Sequence, residues 1–528
     1  MSKDVSTEKV SPLPDLFDLI FILVLWFVLV LKADFLLSDG STGWHLVTGN
    51  YILKNHIVPH ADFLSYTFVG KPWVAYEWLA DLTMSFLVKC GGLNLLNVFS
   101  GVFIALTMSL LYQKCRKAGC HFLLASTMAI LGIIASSIHW LARPHLFTLF
   151  GVYLFSTMLD EFYVGRISGR KLLAITGFYT LIWTNCHPGV LFGFALFIIY
   201  LFAALVEYLS SNDHEKENCF RRLKVFLFSC LTLFALSFCN PYGFNLYLYV
   251  LKYLQGTNIL SQTQEFSSPI FHGGLQSICL ELLYAFFIVG LAITRRRLSL
   301  PQLLLSITFA YLSLSALRNI PLFVIISLPL TAQLFSKTIF APEEGDAGLF
   351  SLLNLRTRKV LNYLRSLDTT FTEGELRCRM HLIPIGLFAF LVFVSLNDGK
   401  AFGQTIMHTT FDEAHKPTHT LTSIARLKLI PQQGFNYDNW GGYIAYQLGI
   451  PVFIDDRADF YGEKFYFEYV NVSRGLPGWD DILKKDNIRW ILMPNDSLLV
   501  GTLNDSSDWK LVDKDDVASL YVFGTHKK

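Results

Sequence analysis

Asp39, His45, Asp62 and Glu77 crowd into one segment, Ser38–Leu79, directly after the first long apolar run of the chain. A carboxylate held at a membrane surface can take a proton from an incoming hydroxyl, which is general-base work. A histidine beside it can hold phosphate, a metal ion or a hydrogen bond. Trp44, Tyr66, Trp73 and Trp78 interleave with these residues. Such rings suit a membrane–water interface, and they also suit stacking on sugar faces. A segment that only joined two membrane spans would have no need of this set. Asp39 has a simpler reading as well, as the cap of a helix opening at GWHLVTG.

The elements that must position these groups are set by composition. The chain has 528 residues, of which 53% are hydrophobic and 16% charged. A soluble domain carries roughly 25% charged residues. The mean hydropathy is +0.43. These values predict a polytopic membrane protein. A net charge of +2 excludes any strong electrostatic case for nucleic acid. Nine cysteines scatter through apolar segments, none after Cys378 and none in a CxxC pair, so they read as small buried apolar residues and not as a zinc site or a disulfide framework.

Apolar runs predict about eleven membrane helices, near 16–37, 94–113, 120–138, 145–164, 171–185, 189–209, 223–239, 276–294, 300–317, 319–337 and 382–398. The first run is too long for a signal peptide and reads as a retained span, with Asp34 paired to Lys32 at its end. The stretch Pro72–Lys89 is amphipathic and reads as a surface helix. Basic clusters at Lys114–Lys117, Arg166–Lys171, Arg221–Lys224, Arg295–Arg297 and Arg356–Arg379 all fall on one face of this arrangement. By the positive-inside rule that face, with the N-terminus, is cytoplasmic. The loop 38–93 and everything after about residue 399 then lie outside, and the lack of paired cysteines there favours the cell (inner) membrane of a bacterial envelope as the site of the bundle. Residues 1–398 are expected to form an all-α bundle, and 399–528 an extracytoplasmic α/β domain. In that domain PVFID (Pro451–Asp455), Arg489–Pro494 and Val517–Phe523 read as strands, with helices near 441–448 and 463–474.

On the predicted topology the unusual polar residues collect on the side of Asp39. They are His139, Arg143 and His145 in IHWLARPHLF, Asn185 and His187 in WTNCHPG, Asn240 in CNPYG, Glu265 in TQEFSSP, and Arg318 and Asn319 in ALRNIPLF. Taken singly, each reads as a cap, an interface residue or, for Arg318, a structural partner of Glu265. Their one-sidedness points to a shared polar cavity, because ionisable groups at membrane depth are costly. Such a cavity fits transfer from a lipid-phosphate donor. Asp39 would act as base, with Asp62 and Glu77 as rivals. Arg143 and Arg318, with His139, His145 and His187, would hold the phosphate. His45, Asn185, Asn240, Glu265, Asn319, Trp440 and Arg457 would contact substrate. A divalent ion such as Mg or Mn is compatible, although no tight ligand spacing marks one. No Walker motif or GxGxxG is present, so soluble nucleotide chemistry has no support. Asp455, Asp456, Arg457 and Asp459 read first as loop residues ahead of a helix over Tyr461–Glu468, and second as sugar or metal ligands.

The segments GWHLVTGNYIL, VPHADFLSYT, PWVAYEWL, ARPH, NCHPG, NPYG, LRNIPLF, NWGGY and VFIDDRADFYG together span nearly the whole chain. In this set and order the sequence resembles the GT-C class of membrane glycosyltransferases, and within it a group of bacterial multi-pass membrane proteins. Protein O-mannosyltransferases, the aminoarabinose transferase of lipid A and oligosaccharyltransferases belong to that class. The resemblance implies a polyprenyl-phosphate-linked sugar as donor, and a glycan, lipid or protein as acceptor. It also implies an inverting transfer outside the cytoplasm, with the catalytic acid near the start of the first outer loop. Asp39 is the residue that matches. Protein mannosyltransferases carry two adjacent acids there, whereas Gly40 follows Asp39. The segment NYDNWGGYI, Asn436–Ile444, is similar to the WWDYG sequence with which oligosaccharyltransferases read their acceptor. The rival expectations are a transporter or flippase for lipid-linked glycans and a glycan-binding scaffold without catalysis. A transporter would place its ionisable groups at the bilayer midplane in repeated halves, and no internal repeat is found.

Overall fold

A computed structural model of the protein describes residues 14–31, 35–255, 264–293, 298–335, 355–377 and 381–524. The Lys32–Asp34 pair and the Arg295–Arg297 cluster lie outside the described residues.

All eleven apolar stretches expected from the sequence carry helix. The bundle runs through Leu16–Trp26, Trp78–Lys117, Phe122–Ser136, His145–Tyr163, Gly169–Cys186, Val190–Ser210, Asp213–Leu236, Gly274–Ile293, Leu300–Ser315, Ile320–Phe335 and Leu382–Leu396. Five helices among the described residues are long and apolar enough to cross a membrane: Trp78–Lys117, Phe122–His139, Val190–Ser210, Gly274–Ala292 and Leu317–Phe335. Several present bare apolar side chains outward, among them Ile198, Phe202, Leu209 and Ile288. A helix that satisfies its own backbone can afford this only against lipid. The chain is a multi-pass membrane protein.

The first helix opens on a side-chain cap, with the Asp18 N–H donating to Asp15 Oδ1 at 2.9 Å, and its last part widens into a π-turn, Phe27–Leu31. The amphipathic stretch expected from Pro72 becomes helical at Trp78 and is continuous with the next span. Gly91 and Gly92 kink the join, and Gly92 adopts φ +63°, a conformation that favours glycine.

After Leu396 the polar chain builds a mixed four-stranded sheet. Its order is Gly434–Asn436, Trp490–Pro494, Ala518–Phe523 and Trp509–Lys514. The first pair is parallel and the other two are antiparallel. The segments read as strands at Arg489–Pro494 and Val517–Phe523 are realised as strand. PVFID is not a ladder strand: Val452 makes a single parallel bridge to Ser65 of the first loop. Its apolar residues Val452, Phe453 and Ile454 are still buried, which is why the run resembles a core strand.

First loop and C-terminal region are packed into each other through glycines. Helix Ser41–Asn55 crosses helix Asp438–Leu448 so closely that a Cβ on Gly43 would lie 2.3 Å from the Gly442 carbonyl carbon. On another face of the same helix, a Cβ on Gly49 would lie 2.0 Å from the Asp81 carbonyl oxygen. Gly441 meets Ile454 in the same way, at 2.1 Å. The Gly-Gly pair of NWGGY therefore lets one helix pass between two backbones.

Candidate functional site

Where the first loop, the helix ends and the C-terminal region meet, they enclose a cavity of about 870 Å³. Asp39, Ser41, Glu77, His139, Arg143, His187, Glu265, Arg318, Asp456, Arg457 and Asp459 line it. A separate cavity of about 430 Å³ lies between Tyr66–Phe68 and the Phe465–Tyr469 side of the C-terminal region, away from Asp39.

Asp39 is half-buried at the mouth of helix Ser41–Asn55. Its Oδ2 accepts the Ser41 N–H at 2.8 Å and the Ser41 hydroxyl in a short hydrogen bond. The capping role read from the sequence and the cavity position thus coexist, and the helix N-terminus favours the anion. Arg143 approaches the same carboxyl with Nη1 and Nε, each at 3.4 Å. Burial pushes the Asp39 carboxyl up, but Arg143, the Ser41 hydroxyl and Lys416 outweigh it, so it stays below the usual range and ionised. The Lys416 ammonium is buried and donates to the carbonyls of Asp39 at 3.1 Å and Asn439 at 3.2 Å.

Glu265 sits between the two arginines. Its Oε2 is 3.2 Å from Arg143 Nη1 and its Oε1 is 3.3 Å from Arg318 Nη1. His139 Nε2 stands 3.9 Å from the same carboxyl. Burial opposes ionisation of Glu265, and the two guanidiniums reverse it. Arg318 also lies 4.6 Å from the centre of the Phe266 ring, which fixes its plane.

Glu77 behaves differently. Burial raises its carboxyl to about 8, against a smaller downward pull from Arg143. His187 Nε2 is 3.6 Å from it, while His187 Nδ1 bonds the Thr148 hydroxyl at 2.7 Å and the Gly189 N–H at 2.9 Å.

Arg457 reaches the wall from behind, and the other expected residues sit behind it. Asp62 is buried and receives Arg457 Nη2 at 2.8 Å, the Ser65 hydroxyl at 2.6 Å, and the N–H groups of Leu64 and Ser65. Arg457 also grips Asp455 through Nε at 2.8 Å and Nη2 at 2.7 Å, stacked 4.4 Å from the Trp73 ring. His45 Nδ1 is tied to Asp81 at 2.6 Å, and His145 Nε2 to the His139 carbonyl at 3.0 Å. Asn185 takes the Trp78 indole N–H at 2.8 Å, Asn319 donates to Leu312, and Asn240 closes its own turn. The Trp440 indole donates to the His415 carbonyl at 2.9 Å. The structure thus gathers Asp39, Glu77, His139, Arg143, His187, Glu265, Arg318 and Arg457 on one cavity and leaves the other expected residues as its supports.

Two groups on the wall, Tyr249 and Asp438, and Lys416 behind Asp39 escape the sequence reading. Tyr249 donates to Asp459 Oδ2 at 2.6 Å, and the Asp438 carboxyl takes the Tyr466 and Tyr469 hydroxyls at 3.4 and 3.3 Å. Lys416 stands in a polar stretch without a motif, and only the packing of Asn439 on Gly40 gives it a partner.

Asp39 and Glu265 are both turned to guanidinium, which at these two acids fills the place a divalent cation would take. Among the described residues, the one triple of metal-capable side chains is Asp15, Asp18 and His381, at the opposite end of the first helix.

Neither a family model nor a curated protein sequence matches the chain. Solved structures do. The oligosaccharyltransferase of Archaeoglobus fulgidus in its apo form aligns over 90% of this chain and 69% of its own, with 12% identity and a TM-score of 0.54. The same archaeal enzyme, AglB, in complex with an inhibitory peptide and a dolichol-phosphate, gives 13% identity and a TM-score of 0.54 over the same shares. Apo ArnT from Cupriavidus metallidurans aligns over 95% of this chain and 97% of its own, with 13% identity and a TM-score of 0.52. These likenesses establish the fold: the GT-C resemblance read from the sequence is realised in three dimensions.

Proposed function

We propose that the chain is a GT-C glycosyltransferase that moves a sugar from a polyprenyl-phosphate carrier to an acceptor, with Asp39 as the general base. The observation that carries this reading is one cavity shared by an ionised Asp39, Arg143 and Arg318. In the reaction the acceptor hydroxyl oxygen attacks the anomeric carbon. Its proton passes to Asp39. The bond from that carbon to the phosphate oxygen breaks, the electron pair stays on the phosphate, and configuration inverts.

Arg143 and Arg318 are suited to receive that charge. Charge-assisted N–H···O bonds close to about 2.7–2.9 Å when well made. Theirs to Glu265 and Asp39 stand at 3.2–3.4 Å, so the guanidiniums hold these acids loosely and keep donors for phosphate. His139 and His187 complete the same wall. AglB has been solved with a dolichol-phosphate and an inhibitory peptide, which accords with a lipid-phosphate donor and supports a peptide among the candidate acceptors. Residues 1–398 would form the transferase bundle with its first outer loop. Residues 399–528 would form the extracytoplasmic domain, and the N-terminus would be cytoplasmic. Convergence of Asp39, Arg143 and Arg318 on one cavity favours catalysis over a silent scaffold, and clustering at one end of the bundle disfavours a transporter.

Purified Asp39→Asn, assayed for sugar transfer from a lipid-phosphate donor, tests the reading. Loss of transfer with donor binding intact is the expected result. Full retained activity would remove Asp39 from the base role.

A further inference from the structure

The acids of VFIDDRADFYG divide their labour. Asp455 is spent on Arg457, and Asp459 is bonded to Tyr249. Asp456, between them, has neither duty. It lines the cavity with Asp39, and a Cβ placed on Gly40 would lie 3.1 Å from its Oδ2. Its Oδ1 is closed off from solvent and has no hydrogen-bond partner. The chain on either side is pinned: Asn436 Nδ2 donates to the Ile454 carbonyl at 2.8 Å, and the Arg457 N–H donates to Asp455 Oδ1 at 3.0 Å while its guanidinium is locked to Asp62 of the first loop at 2.8 Å. Asp456 is therefore aimed by two anchored neighbours, and its open carboxyl oxygen is not the accident of a loose loop.

The charged groups that face it are Asp39 from the first loop, its neighbour Asp455, Arg143 and Lys416. Arg143 already serves Asp39 and Glu265, and Lys416 serves two backbone carbonyls. Two carboxylates that adjoin one glycine, with one guanidinium turned to only one of them, do not both ionise readily.

Resting on the reading of Asp39 as base, we propose that Asp456 is its neutral companion on the cavity wall: Asp456 keeps its proton, so that Asp39 stays ionised and the two together show a single negative charge to the donor phosphate. Burial raises the Asp456 carboxyl first, Asp39 and Asp455 raise it further, and Arg143 and Lys416 offset this only in part. The acceptor's proton goes to Asp39 during transfer, and Asp456 keeps its own. Above the pH at which Asp456 ionises, it adds a further negative charge beside Asp39 that repels the donor phosphate. Asp456 thus acts on the reaction through Asp39 and through donor binding, as a positioning residue.

The test is a comparison of donor KM and kcat from neutral to alkaline pH in the full-length wild type, Asp456→Asn and Asp39→Asn. All are read in the Glu77→Gln background, because Glu77 lines the same cavity and its carboxyl is raised to about 8. With Asp456 present the donor KM should rise about tenfold at the alkaline end, the order of effect of one added charge at an effective dielectric of ~20. Asp456→Asn, which cannot gain that charge, should show no such rise. Infrared difference spectra with Asp456 present should show a protonated-carboxyl C=O band that disappears over the same pH interval and is missing once Asp456→Asn is added. An alkaline KM rise of the same size with Asp456→Asn, or a protonated-carboxyl band that Asp456→Asn leaves unchanged, overturns the pairing. If Asp39→Asn transfers sugar at the full rate, the base assignment itself has failed. If Asp39→Asn is inactive while Asp456→Asn keeps the wild-type KM profile, only the pairing has failed.

Discussion

Arg143 meets Asp39 with two nitrogens, Nη1 and Nε, each 3.4 Å from a different carboxyl oxygen, and lends the same Nη1 to Glu265 at 3.2 Å. One guanidinium therefore keeps the proposed base ionised and tethers it to the second acid. In the proposed reaction it must also receive phosphate. Because these roles converge, Arg143→Ala should lower kcat/KM by roughly 10²–10³, the loss typical of a charge-stabilising donor. Arg143 holds the Asp39 carboxyl down, so its removal raises that carboxyl. The base then ionises only at higher pH, and the acid limb of the rate profile should move upward. A loss of rate with an unmoved acid limb would show that Arg143 serves phosphate alone.

Glu77 makes a prediction about stability. Its ordinary carboxyl value is 4.5, and burial raises it to about 8 in the folded protein. A group raised on folding contributes stability that is present below its unfolded value and lost as pH rises through the folded one. Thermal unfolding of the wild type in detergent should therefore lose midpoint temperature between pH about 4.5 and about 8. Glu77→Gln cannot ionise and should flatten that slope. Parallel slopes in the two proteins would place the titrating group elsewhere.

The Asp62–Arg457–Asp455 clasp joins first loop to C-terminal region. Asp62→Ala leaves Arg457 buried with one partner fewer, and breaking a buried pair from one side costs about 3–5 kcal/mol. The expected result is early loss of the C-terminal region to protease while the bundle stays intact. If Asp62→Ala is as resistant as the wild type but inactive, Asp62 returns as a rival base.

Gly43 and Gly442 set the distance between the first-loop helix and the C-terminal helix. A methyl on Gly43 would penetrate the Gly442 backbone at 2.3 Å, and no rotation of a side chain relieves a backbone contact. Gly43→Ala should destabilise the protein by ~1–3 kcal/mol, the usual cost of overpacking. It should also separate Asp39 from Lys416 and so depress activity. An unchanged unfolding midpoint would deny the crossing. Gly501, in helix Leu498–Asn504 with no atom within 4 Å of a built Cβ, is a control for glycine replacement without a packing clash.

Much of this was legible in the residues. Membrane helices announce themselves by long apolar runs, because a lipid-buried backbone permits nothing else at that length. The gathering of Arg143, His187, Glu265 and Arg318 near Asp39 followed from counting those runs, since each span carries the chain to the opposite face. Asp39 stood out for its place directly after the first of them. Local pattern also located the strands Trp490–Pro494 and Ala518–Phe523. The same pattern over-read PVFID, whose burial comes from packing on the first loop and not from a ladder.

What the chain could not disclose was which polar residues share a wall. His45 and His187 are both buried histidines, yet one is tied to Asp81 behind the wall and the other opens on the cavity. Asp62 and Asp456 are both acids in polar stretches, yet one is consumed by Arg457 and the other keeps a free oxygen. Those assignments depend on contacts between residues hundreds of positions apart, and a hydrogen bond forms only within about 3 Å. Helix periodicity fixes direction along one segment, whereas the glycine crossing of Gly43 and Gly442 decides what lies opposite. Apolar run length alone dictates a membrane bundle with an acid at the start of its first loop. Only tertiary packing brought Arg143 and Asp456 to the cavity of that acid, the first to keep it ionised and the second, as proposed, to keep a proton of its own.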